Sequence, residues 1–116
     1  MIHAELRFFA EGGLSFCDVA GHGMSGNPGT DIVCAAVTVL VRTTAALLSG
    51  RDDISLTIKT AGRGSLGFRV EKSAELREAS LRSFLVYAGE FLREGLCSLE
   101  TEFPNSVRVR TETEKE

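Results

Sequence analysis

The stretch G-H-G-M-S-G-N-P-G-T-D-I-V-C-A-A-V, residues 21–37, divides the chain into two patterns. It holds four glycines and a proline, lies between a β-prone run and an apolar one, and turns abruptly apolar after Asp31. Each glycine adds unfolded-state entropy that folding must overcome. Such a run belongs where the backbone turns tightly, moves, or lets another chain come close. The pattern predicts a loop over residues 23–29 feeding a helix that starts near Thr30 or Asp31, with Thr30 as its cap. That helix runs to about Ser49, where Gly50 supplies the stop. Ile32, Ala36, Val39, Leu40, Thr43 and Leu47 fall at helical spacing and are expected to face a sheet. Asp31, Cys34 and Thr38, at i, i+3 and i+7, line up along a different stripe.

Upstream, residues 2–9 and 14–20 are two β-prone runs joined by Glu11-Gly12-Gly13, a hairpin signal with glycine available for positive φ. Downstream, residues 54–60 and 65–70 alternate and are joined by Ala61-Gly62-Arg63-Gly64 as a second hairpin. Lys59, Arg63 and Arg69 read as a solvated basic end. Ser73 caps a second helix whose apolar positions, Leu76, Leu81, Phe84, Leu85, Ala88, Phe91, Leu92, Leu96 and Leu99, keep an i, i+3, i+4, i+7 rhythm. Pro104-Asn105 breaks the chain before a short strand over residues 107–110. The order is ββαββαβ, an α+β two-layer sandwich with a mostly antiparallel sheet and two helices on one face. Residues 1–110 form one domain, and residues 111–116, with no apolar anchor, are expected to be a disordered tail. If the other face of the sheet is apolar, a second copy can cover it, which makes a homodimer the expected assembly.

Bulk properties set limits. A chain of 116 residues with 43% hydrophobic and 25% charged content is an ordinary single globular domain. A net charge of -3 gives no electrostatic reason for nucleic acid, although basic residues can still cluster locally. The first ten residues lack the character of a signal or transit peptide, and no apolar run is expected to reach membrane-spanning length. Three scattered cysteines, Cys17, Cys34 and Cys97, argue against a disulfide framework and for a reducing compartment, so the cytoplasm is expected. Cys17 and Cys97 read as structural, and His3 as a surface residue.

Three chemistries compete for the central stretch. Gly21-His-Gly23-Met-Ser-Gly26 matches G-x-G-x-x-G, but Pro28-Gly29 intervenes before the helix and hairpins surround it, so the dinucleotide context fails. Cys17, His22 and Cys34 offer three ligands at spacings matching no familiar zinc pattern, and no metal or cofactor is expected. A nucleophile fits better. Cys34 is expected in the first turn of the helix, where free N–H groups and the macrodipole favour a thiolate. His22 can act as base and then acid, and backbone N–H groups at the helix start or in the glycine loop can bind an oxyanion. Asp31 either orients His22 or serves the helix start.

The segment G-H-G…G-T-D-I-V-C-A-A-V-T, followed by a continuing apolar helix, resembles the signature of the ribosomal-processing cysteine protease family, Prp. The resemblance implies a dyad of a histidine at the end of the second strand and a cysteine on the first helix: His22 as general base and Cys34 as nucleophile. Asp31 matches the family's motif acid as a supporting residue. Thr38 stands where the family usually has serine, and Gly23 where it usually has alanine. The implied activity is removal of an N-terminal extension from large-subunit ribosomal protein twenty-seven, recognised as an extended apolar segment ending in aromatic residues and alanine and required for ribosome assembly. Gly21, Gly23, Met24, Ser25, Gly26, Asn27, Pro28, Gly29, Thr30 and Thr38 are then the expected substrate-binding or gating residues. The partner is that ribosomal protein precursor, with no membrane and no direct nucleic-acid contact. Leu6-Arg7-Phe8-Phe9-Ala10 resembles the end of the family's substrate, but an alternating first strand explains it. Two other readings stand beside the protease: a non-catalytic ribosome-associated module that binds peptide, and an RNA-binding domain using Arg63, Arg69, Arg108 and Arg110.

Overall fold

Alternation in the first strand seats the sheet on its helices. The computed structural model describes residues 1–21, 28–59, 65–72 and 79–115, with the backbone alone for residues 28–31 and 72. In strand β1 (Ile2–Phe8), Ile2, Ala4, Leu6 and Phe8 are all buried. Strand β2 (Leu14–Ala20) opposes them in antiparallel register, Ala4 to Val19 and Leu6 to Cys17. Phe9 and Gly13 close the hairpin through a 2.7 Å N–H···O bond, with Gly12 at φ +105°, the positive φ expected there. Leu6 and Phe8 are core residues, so the substrate-like run in this strand is spent on packing.

After β2 come helix α1 (Pro28–Ser49), strands β3 (Ile54–Lys59) and β4 (Ser65–Lys72), helix α2 (Ala79–Glu102) and strand β5 (Val107–Thr113). The strands lie in the order β3-β4-β2-β1-β5. All pairings are antiparallel except β1 with β5, which is parallel because α2 carries the chain back to the end where β1 starts. The expected ββαββαβ sandwich is therefore observed, with both helices on the face that buries Leu6, Cys17, Phe68 and Val107.

Three expectations need correction. In α1 the buried residues are Val33, Val37, Val41, Thr44 and Leu48, whereas Ile32, Val39 and Leu47 are 65%, 63% and 55% exposed. The helix is rotated from the face expected. Its inward stripe is mostly β-branched and compact, and Leu40 lies over Gly95 of α2. Ile32–Ser49 is also long and apolar enough to cross a membrane by length and composition, contrary to expectation. Its inward stripe packs into the core and makes it a helix of the domain. Third, residues 111–113 are not a tail: they continue β5 against Leu6, Arg7 and Phe8. Glu114 then donates its N–H to the Phe8 carbonyl at 2.7 Å.

The second helix keeps the expected face, burying Leu81, Leu85, Leu92 and Leu96, but Phe91 is half exposed. Ser73 and Leu76 lie outside the described residues. The far face of the sheet is charged rather than apolar. Glu5 pairs with Arg7 at 3.0 Å and approaches Arg110 at 4.0 Å, Lys59 approaches Asp18 at 3.7 Å, and Arg110 approaches Glu112 at 3.8 Å. The condition set for a second copy on that face is not met.

Candidate active site

Helix α1 opens on Pro28, whose fixed φ suits the first helical position and whose missing N–H is no loss there. The start is two to three residues earlier than expected, with three consequences. Pro28 and Gly29 belong to the helix and not to the loop. Thr30 and Asp31 are its third and fourth residues, past the cap position. Cys34 stands six residues from the start, about 9 Å along the axis and in the second turn. Its own N–H is within the helical ladder, and the dipole effect has faded there. The N–H groups of residues 29–31 have no partner within the helix itself.

Cys34 is half-buried and packs against the core cluster. Thr38 donates its hydroxyl to the Cys34 carbonyl at 2.8 Å, tying the two expected site residues together on one flank. The other thiols differ. Cys17 is fully buried and its thiol is pushed up to about 12, first by burial and then by the Asp18 carboxylate. Burial likewise raises Cys97, with Glu100 and Glu94 adding to the effect. Cys17 is the small core hydrophobe expected.

His22, Gly23, Met24, Ser25, Gly26 and Asn27 lie outside the described residues, as does any gate formed by them, and so does the side chain of Asp31. The residue that launches His22 is described. Gly21 follows β2 at φ +85°, and a Cβ there would strike the Met1 carbonyl oxygen. Glycine is the residue that accepts both the left-handed backbone and the close approach. Gly21→Ala is accordingly expected to cost about 1–3 kcal/mol, read as a lower urea midpoint. An unchanged midpoint would refute this account.

Sequence reasoning did not find the groove on the Cys34 flank. Val41, Arg42, Ala45, Ala46 and Ser49 of α1 form one wall, and Ile58, Leu66 and Phe68 of β3 and β4 the other, enclosing about 320 Å³. The alternation of β3 and β4 pointed to its floor, but the misplaced face of α1 hid its wall. The basic residues proposed for RNA gain little from the structure. Arg110 stands beside the Glu5 and Glu112 carboxylates, and Arg69 lies over the Phe16 ring at 5.0 Å. Arg63 lies outside the described residues.

No curated protein matches the chain in sequence. Among solved structures, SMU.848 from Streptococcus mutans superposes with a TM-score of 0.76 at 24% identity, covering 98% of this chain and 96% of its own. An essential ribosomal processing protease Prp from S. aureus in complex with a substrate peptide gives 0.76 at 18% identity, over 96% of this chain and 99% of its own. The same protease with a covalently linked product peptide gives 0.72 at 20% identity, over the same shares. At these identities the likeness establishes the fold. The profile of the family described as cysteine protease Prp matches residues 1–108, which span every element up to the start of β5. By that match the chain belongs to the Prp family and is a cysteine protease.

Proposed function

We propose that this protease acts in the cytoplasm on a ribosomal protein precursor, removing the N-terminal extension of large-subunit ribosomal protein twenty-seven during ribosome assembly. The observation that carries the residue assignment is the flank of α1. There Cys34 is half-buried beside Thr38 within the family motif, while Cys17 is sealed in the core. The fold shared with a protease that binds a substrate peptide supports the substrate class. Family membership sets aside the non-catalytic reading.

In the proposed reaction, His22 takes the proton of Cys34, and the thiolate adds to the scissile carbonyl carbon. Backbone N–H groups at the helix start or in the glycine loop stabilise the oxyanion, and the His22 imidazolium gives its proton to the departing amine as the C–N bond breaks. Water then adds to the thioester, the C–S bond breaks, and the thiol is restored. Asp31 supports His22 or the charge balance of the first turn. A second copy, if the enzyme is a homodimer, would use the outward stripe of α1, Ile32, Val39 and Leu47, rather than the charged sheet face.

Incubating the enzyme with the source organism's own precursor and reading the new N-terminus by mass spectrometry tests the substrate. A single new N-terminus that removes the extension is expected. A precursor left intact by an enzyme whose Cys34 is reactive would refute the assignment.

A further inference from the structure

Residues of a helix advance about 100° each, so Cys34, Thr38, Val41 and Ala45 fall within an arc of about 60° on α1. Leu40, over Gly95, marks the flank turned to α2. The Cys34 arc looks the other way, toward β3 and β4, where the apolar groove lies. Val41 and Ala45 are thus shared by the flank that presents Cys34 and by the wall of the groove. The groove thus begins about 10 Å along the axis beyond Cys34, on the same flank of the helix.

Its chemistry is selective. Apart from Arg42 at the wall, its lining carries no charge, and its floor includes Ile58, 55% exposed on β3. Strand β3 is at the edge of the sheet and pairs only with β4 among the described residues. An extended chain can lie beside such an edge and turn alternate side chains onto the helix-facing side. A volume near the small end of ligand pockets suits one or two side chains rather than a separate ligand.

We infer that this groove holds an apolar side chain of the substrate peptide, with Ala45 and Ile58 setting specificity at a position removed from the bond that is cut. The inference rests on Cys34 as the nucleophile. Val41 and Ala45 lie about 10 and 16 Å along the axis from Cys34. An extended peptide covers that span in roughly three to five residues. The groove therefore reads a residue about three to five positions from the scissile bond, and a large apolar residue there is preferred.

The test uses the precursor peptide and variants carrying Asp in place of one residue at a time, with wild type, Ala45→Phe, Ile58→Glu and Val39→Ser enzymes. With wild type, Asp at one position in that window is expected to lower kcat/KM about tenfold or more. Ala45→Phe fills the groove. It should lose about tenfold on the parent peptide, mainly through KM, and show little further penalty from the Asp. Ile58→Glu should behave similarly, and Val39→Ser, on the opposite side of α1, should match wild type. Rates of Cys34 alkylation should be equal in all four. Binding of the labelled parent peptide to Cys34→Ala, with and without Ala45→Phe, is followed by fluorescence anisotropy and gives a readout that needs no turnover. Equal binding by the two, or equal Asp penalties in wild type and Ala45→Phe, would overturn the groove. Val39→Ser impaired as strongly as Ala45→Phe would also overturn it, in favour of a second copy on α1. Cleavage that survives in Cys34→Ala would instead sink the nucleophile assignment, and the anisotropy would still judge the groove.

Discussion

Cys34→Ala and His22→Ala are each expected to lower precursor cleavage by roughly 10³-fold or more, with little change in melting temperature. Cys34 is half-buried on a helix where alanine is the better helix former, so losing one sulfur at a partly open position leaves the core intact. What is lost, in the proposed reaction, is the atom that forms the covalent bond or the base that frees it. Iodoacetamide gives a second readout. At pH 8, a thiol held at about 12 is thiolate in only on the order of one molecule in 10⁴, and Cys17 has no exposed surface besides. Alkylation should therefore map to Cys34 and spare Cys17, and His22→Ala should slow it. Cleavage by Cys34→Ala near the wild-type rate would remove the proposed mechanism. Labelling of Cys17 as fast as Cys34 would mean that the core opens around it.

Elements with strong local periodicity were readable because their pattern and their burial coincide. The alternation of Ile2, Ala4, Leu6 and Phe8 became the buried face of β1, and Leu81, Leu85, Leu92 and Leu96 became that of α2. In α1 the period was readable but its phase was not. Between Ile32 and Ser49 the only charge is Arg42, so the stripe through Ile32 and Val39 and the stripe through Val33 and Val37 are equally apolar. Only contact with the sheet and with Gly95 chooses between them. The same ambiguity hid the groove. For the site, the motif identified Cys34 and its helix. The start at Pro28 places that cysteine in the second turn rather than the first. The pairing of His22 with Cys34 rests on the motif, since His22 lies outside the described residues.

Nothing local in residues 111–113 announces a strand, yet they extend β5, with a large expected effect on stability. A chain ending at Arg110 is expected to lose about 2–4 kcal/mol and to melt on the order of 10 °C lower. Thr111, Glu112 and Thr113 are polar, yet each has a partner in β1. The register between β1 and β2 steps from Arg7–Phe16 to Phe8–Leu14, leaving Ser15 as the extra residue of a bulge. Ser15 is 1% exposed, and its hydroxyl donates to the Glu114 carboxylate across nearly the whole length of the chain. Without Glu114 that hydroxyl is buried with its partner gone, a cost of about 1–3 kcal/mol, and the last ladder bonds go with it. Glu114→Ala should show part of the loss, and Ser15→Ala should restore some of it by removing the orphaned group. A truncated chain that melts with the full-length protein would show that the segment contributes nothing. Because β5 ends at the opposite end of the sheet from Gly21, truncated enzyme held below its melting temperature should keep its Cys34 alkylation rate. Loss of stability without loss of thiol reactivity would then separate the strand that holds the fold from the helix that bears Cys34.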